Sequence, residues 1–194
     1  VQIFWAILNH KYHDWFLDGV FFTLFCLYIF KPSEKSRTVK SLECVALTLC
    51  LLFVILVINH ILFSKYVKIR SLSPSLKCED FIRLNHLLPF LKTKSISFSS
   101  FPGDHATFAL FFYFISSGLF NKNLMRFLSF YTPMIILPRL IIGAHNLSDV
   151  LIGSMLIAYP IAYFIVYFKL IEKMAIFIKN KSLVLLGLNR AEKF

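Results

Sequence analysis

Long apolar runs broken by short basic stretches organise this chain. Five runs are long enough to read as membrane-crossing helices: about Trp15 to Phe30, Cys44 to Phe63, His105 to Phe120, Leu124 to Ile142 and Leu147 to Phe168. A helix rises about 1.5 Å per residue, so ~20 apolar residues cross ~30 Å of hydrocarbon. The second run carries no formal charge, and the fourth holds Arg126 near one end and Arg139 near the other. Val1 to Asn9 is apolar but too short to cross, and is expected to be the tail of a further helix. No basic n-region or A-x-A site opens the chain, so no signal peptide is expected. Leu170 to Leu188 mixes apolar residues with Lys173, Lys179 and Lys181, a pattern for an interfacial helix or a last packing segment. With no internal repeat and no low-complexity linker, the expectation is one domain over residues 1–194, with 170–194 as a cytoplasmic interfacial tail.

Composition sharpens this picture. Hydrophobic residues make up 58% of the chain, mean hydropathy is +0.71, and 23 residues are phenylalanine. Such a chain exposes too much apolar surface for a soluble domain, and the fold class expected is an all-α, polytopic membrane helix bundle. The formal net charge of +11 suggests nucleic acid in a soluble protein. Here the basic residues cluster between apolar spans and no nucleic-acid module is present, so membrane topology and anionic headgroups are the better reading. Cys26, Cys44, Cys50 and Cys78 form no CxxC pair and lie mostly in apolar spans, which disfavours a zinc site or a disulfide framework.

The loops give an orientation. Lys31, Lys35, Arg37 and Lys40 face one Glu34 in the first loop, Lys122 and Arg126 lie at the turn Asn121 to Asn123, and the tail is basic. Five crossings put these on one side, which the positive-inside rule makes cytoplasmic. The loops Ser64 to Asp104 and Gly143 to Asn146 then share the other side. The former also carries Lys65, Lys68, Arg70, Lys77, Arg83, Lys92 and Lys94. Topology does not explain those cations, whereas a negatively charged ligand on that face does.

Candidate chemistry lies at that same end. The segments Lys65 to Pro74, Ser100 to Thr107 and Pro138 to Asp149 each carry polar residues at the outer ends of apolar helices. In the last, Gly143 can turn the chain, Asn146 suits an N-cap, and Asp149 falls in the following first turn. His145 is four residues before Asp149, close enough to pair across a helix start. A carboxylate on one imidazole nitrogen makes the other a better nucleophile. Arg139 offers a planar fork for phosphate oxygens. His105 follows Pro102, Gly103 and Asp104, where helix-start amides favour an anion and an imidazole can protonate a leaving oxygen. Lys65 and Arg70 are further phosphate clamps. His10, His13, His60 and His86 read as interface contacts, and Asp18 as structural.

These residues resemble the type 2 phosphatidic acid phosphatase (PAP2) superfamily, whose three motifs are K-x6-R-P, P-S-G-H and S-R-x5-H-x3-D. Arg139, His145 and Asp149 match the third, with Pro138 in place of the serine. Pro102 and His105 match the second, where Gly103-Asp104 replaces Ser-Gly, removing a phosphate donor and adding a charge. In the first, Lys65 fits, Leu72-Ser73 stands where Arg-Pro is expected, Ser73-Pro74 follows one residue later, and Arg70 is the substitute cation. The resemblance runs from about Asn59 to Gly153.

It implies a PAP2-like core of five visible transmembrane helices, six with a truncated first helix, and a phosphatase that needs no metal or cofactor. In that scheme Arg139, Lys65 and Arg70, with the backbone at Gly103, hold phosphate. His145 attacks phosphorus, oriented by Asp149, and forms a phosphohistidine. His105 protonates the leaving group and then activates water. The expected partner is a phosphorylated lipid within the membrane: lipid A, undecaprenyl pyrophosphate, phosphatidylglycerol phosphate or phosphatidic acid. The expected location is a bacterial inner membrane with the active site on the periplasmic face. The alternatives are a lipid-to-lipid phosphotransferase of the same family and a non-catalytic lipid-phosphate binding or transport protein.

Overall fold

The computed structural model describes residues 4, 7–10, 13–67, 71–77 and 100–185. Among these, regular structure is helical and no strand is present. The order is α1 (His13–Phe30), α2 (Arg37–Val67), α3 (Pro74–Lys77), α4 (Asp104–Ser116), α5 (Lys122–Ile141), α6 (Asp149–Tyr167) and α7 (Leu170–Leu185). The second part of α2, Phe53–Val67, and the opening of α6, Asp149–Ser154, are wound in wide π-type turns.

Three helices, α2, α5 and α6, are long and apolar enough to cross a membrane, and Trp15–Phe30 within α1 is a shorter apolar helix. The run expected to cross from His105 to Phe120 is instead a helix of 13 residues, ~20 Å long. Ser117 and Gly118 end it: the Ser117 hydroxyl folds back on the Phe114 carbonyl at 2.6 Å, and turns carry the chain to Phe120, whose N–H donates to the Ser116 carbonyl at 2.8 Å. Polar caps set two starts. Ser36 accepts from the Val39 N–H at 3.3 Å before α2, and Asn121 from the Leu124 N–H at 3.1 Å before α5.

The short α4 is the axis of the bundle. Phe111, Phe112 and Ile115 on it are almost fully buried. Phe21 of α1 packs edge-on against Phe108 and Phe112, with ring centroids 4.8 and 4.4 Å apart. On its other side, α6 approaches closely through Ala158 and Ala162, both fully buried, as small residues allow where helices pack in lipid. The tail helix α7 lies against α2, burying Ile171 and Ala175. The outer surface is as apolar as the core: Trp15 is 75% exposed, Phe130 79% and Leu156 65%. A surface of this kind needs lipid around it.

Candidate active site

The site is built where α5 ends and α6 begins. Gly143 takes φ of 69°, a left-handed conformation that a side chain resists. Its N–H donates to the Leu140 carbonyl at 3.0 Å and the Ala144 N–H to the Arg139 carbonyl at 3.0 Å, the paired bonds of a Schellman stop. The Gly143 carbonyl in turn accepts from the Ser75 N–H at 3.1 Å, so α3 is fastened to this turn. The turn delivers Arg139, at the last turn of α5, and His145, just beyond it, to the same place.

Asp149 is buried at the start of α6, and three donors converge on its Oδ2: the Ser100 hydroxyl at 2.7 Å, the Asn146 N–H at 2.8 Å and the Asn146 side-chain amide at 3.0 Å. A buried carboxylate requires such partners. The direct contact between His145 and Asp149 expected from their spacing is replaced by a bridge. His145 Nδ1 lies 2.8 Å from the Ser100 main-chain carbonyl, and the hydroxyl of that same serine is held by Asp149. The physical reason is occupancy: the Asn146 backbone and side chain already fill the near side of the carboxylate. A carbonyl oxygen only accepts, so Nδ1 carries the hydrogen and Nε2 of neutral His145 keeps its lone pair.

Burial holds the His145 pKa below the usual 6.5, opposed by the Ser100 carbonyl and Asp149 and reinforced by the neighbouring His105 and Arg139. The ring is therefore neutral at neutral pH. It also sits against the start of α4, since a Cβ built on Gly103 comes within 3.4 Å of its Nδ1. Ser154 of α6 donates to the Gly103 carbonyl at 3.1 Å, tying α6 to this approach.

His105 and Arg139 meet directly. An Arg139 guanidinium nitrogen is 3.1 Å from His105 Nε2. Guanidinium only donates, so Nε2 accepts there. Arg139 is 5% exposed, so a buried, always-charged fork contacts His105 and lies within electrostatic reach of His145. His105 also forms the polar end of a groove of about 200 Å³, whose walls include Leu17, Ile55, Phe108 and Ile135 and whose rim includes Asp18 and Asp104.

Lys65 is exposed in the last turn of α2. Arg70 lies outside the described residues, as do Lys68, Arg83, His86, Lys92 and Lys94. Asp104, the unexpected acid of the second motif, is turned toward α2. Its Oδ1 accepts from the Asn59 amide at 3.1 Å, and its Oδ2 is 3.5 Å from His60 Nε2. Sequence reasoning missed Ser100 and the Asn59–His60 pair. Ser100 ends a serine-rich stretch in which nothing distinguishes it, and Asn59 and His60 sit inside an otherwise apolar run.

Fold and site together define an all-α membrane helix bundle with a histidine–arginine centre at one end. The chain belongs to the PAP2 superfamily, whose defining pattern matches residues 66–173. The chain is also similar to lipid A 1-diphosphate synthase of Escherichia coli (strain K12), 34% identical over 113 residues, which is 57% of this chain and 46% of that protein. The similarity thus spans about half the length of that curated relative. No solved structure matches.

Proposed function

We propose that this protein is an integral membrane phosphatase that removes phosphate from a lipid monoester or pyrophosphate through a phosphohistidine on His145. One observation carries the reading: the Ser100 carbonyl fixes the Nδ1–H tautomer of His145, so Nε2 keeps its lone pair within electrostatic reach of the Arg139 and His105 pair. In the reaction Arg139 exchanges its contact with His105 for the phosphate oxygens, and the released His105 Nε2 takes up a proton from solvent. His145 Nε2 attacks phosphorus as the bond to the leaving oxygen breaks, and His105 gives that oxygen a proton. Water then attacks phosphorus, His105 takes its proton, and the N–P bond breaks to release phosphate. Phosphoryl transfer depends chiefly on positioning and charge neutralisation, which this set supplies. Asp149 acts through Ser100 by holding its hydroxyl, and so positions the residue whose carbonyl orients the ring.

The apolar walls of the groove at His105 suit a lipid that reaches the site sideways between helices. Lipid A, undecaprenyl pyrophosphate, phosphatidylglycerol phosphate and phosphatidic acid are the substrates to compare. The basic loop at residues 31–40 and the turn at residues 117–121 lie together at the opposite end, which supports an active face on the periplasmic side of a bacterial inner membrane. The test is phosphate release from that lipid panel by purified protein. Release by the wild type and none by His145→Ala supports the reading; equal release by both ends it.

A second reading is favoured by the relative's name: the phosphoryl group passes to another lipid instead of water. The chemistry at His145 is unchanged and only the acceptor differs. Product analysis with donor and acceptor lipids together separates the two.

A further inference from the structure

The end of the bundle farthest from His145 contains a second set of cations. Lys31, Lys35 and Lys40 line a cavity of about 570 Å³ bounded by Tyr28, Phe120 and Leu124, with Glu34 the one carboxylate among the described residues on its wall. The positive-inside rule accounts for exposed lysines at a membrane end, but it does not account for Lys40, which is only 3% exposed. A lysine there for topology alone would extend its ammonium to water.

The ammonium of Lys40 donates to the Lys31 main-chain carbonyl and stands 5.8 Å over the Tyr28 ring. Neither is an anion. The nearby buried Glu43 is already engaged by the Tyr28 hydroxyl and by Lys35 Nζ at 2.6 Å, and Lys35 is also 3.3 Å from Glu172. Among the described residues no carboxylate pairs with Lys40. Buried ammonium without a counter-charge is costly, and it has three hydrogens to donate.

A second space adjoins the cavity. A groove of about 510 Å³ shares Lys31, Asn121 and Leu124 with it and runs along α1 past Phe30, Leu27, Cys26 and Thr23, into the membrane-embedded length of that helix. A cationic pocket joined to an apolar groove has the shape of an amphiphile with an anionic head. We infer that this is a binding site for a phosphate-bearing phospholipid of the leaflet opposite the candidate active site, its headgroup on Lys31 and Lys40 and an acyl chain along α1.

The experiment uses the full chain purified in a neutral detergent, with binding read from thermal unfolding as phosphatidylglycerol, phosphatidylcholine or inorganic phosphate is added. The site predicts stabilisation by phosphatidylglycerol well beyond phosphatidylcholine. It predicts affinity weakened roughly tenfold or more by Lys40→Met, which removes the charge but keeps the length. Lys31→Gln, at an exposed side chain whose carbonyl is retained, should weaken it as well and serves if Lys40→Met does not fold. His145→Ala should bind phosphatidylglycerol as the wild type does, which separates this site from the proposed catalytic one. Equal stabilisation of wild type and Lys31→Gln, equal effects of the two lipids, or full stabilisation by inorganic phosphate alone would overturn the inference.

Discussion

His145 and Asp149 are joined through one residue: Ser100 accepts from His145 Nδ1 with its carbonyl, at 2.8 Å, and donates to Asp149 with its hydroxyl, at 2.7 Å. The Ser100 hydroxyl is also 2.9 Å from the Ser71 carbonyl, but its single proton favours the shorter, charged acceptor. The serine thus transmits the position of a buried carboxylate to the imidazole without either touching the other.

Ser100→Ala leaves the carbonyl in place and deletes the hydroxyl. Asp149 then loses one of three donors, which costs ~1–3 kcal/mol of stability by loss of a charge-assisted bond. The ring is held less firmly, so kcat falls by roughly tenfold, equivalent to about 1.4 kcal/mol, while KM changes little. Melting temperature and steady-state kinetics of the purified variant check both. A fall in stability with wild-type kcat rejects the positioning role.

Burial depresses the His145 pKa, so its reactive neutral form persists below pH 6.5. The acid limb of kcat/KM assigned to this group should therefore have its midpoint below 6.5. The same shift acts on stability. Unfolded His145 binds protons more readily than folded His145, so its contribution is complete above pH 6.5 and is lost as pH falls through the folded value. The pH dependence of unfolding should lose this component in His145→Ala.

Gly153 lies where α6 passes the loop that carries Ser100. A Cβ there comes 2.8 Å from the Phe101 ring, closer than side chains pack. Gly153→Ala should cost about 1–3 kcal/mol by overpacking and lower activity, because the ring it displaces follows Ser100 directly. Adding Phe101→Leu should restore much of both, a coupling that a double-mutant cycle measures.

Arg139 is a buried fork in contact with His105 and close enough to act on His145, and a lysine keeps the charge but not the paired donors. Arg139→Lys should lower kcat/KM by about 100-fold or more, the usual loss when one stabilising group on a developing charge is removed. Melting temperature measured beside the kinetics distinguishes this from unfolding.

The helical, membrane-embedded class was legible because apolar runs of such length have no other stable home. Helix ends at Phe30, Ile141 and Tyr167 fall within a residue of the runs read from sequence, since a Pro-Ser loop after Phe30, the Gly143 stop and the Lys169 turn punctuate them. The length of α4 was not legible, because hydropathy continues past Ser116 while the backbone is already turning. The juxtaposition of Arg139 with His105 was expected from chemistry that suits one anion. The bridge through Ser100 was not, because spacing on one helix predicts a His145–Asp149 contact and cannot show that Asn146 occupies the carboxylate first. The orientation of Asp104 toward Asn59 and His60 depends on the wide turns of α2, which change which side of that helix faces α4. No pattern of apolar residues specifies such turns.

The central claim is that His145 Nε2 takes the phosphoryl group. Wild-type protein and His145→Ala should be mixed with radiolabelled lipid phosphate and quenched within a turnover. Label bound to the wild type through an acid-labile, alkali-stable bond, mapped to His145 and absent from the variant, is the predicted result. Label retained by His145→Ala, or substrate consumed by the wild type without any label on His145, would contradict it.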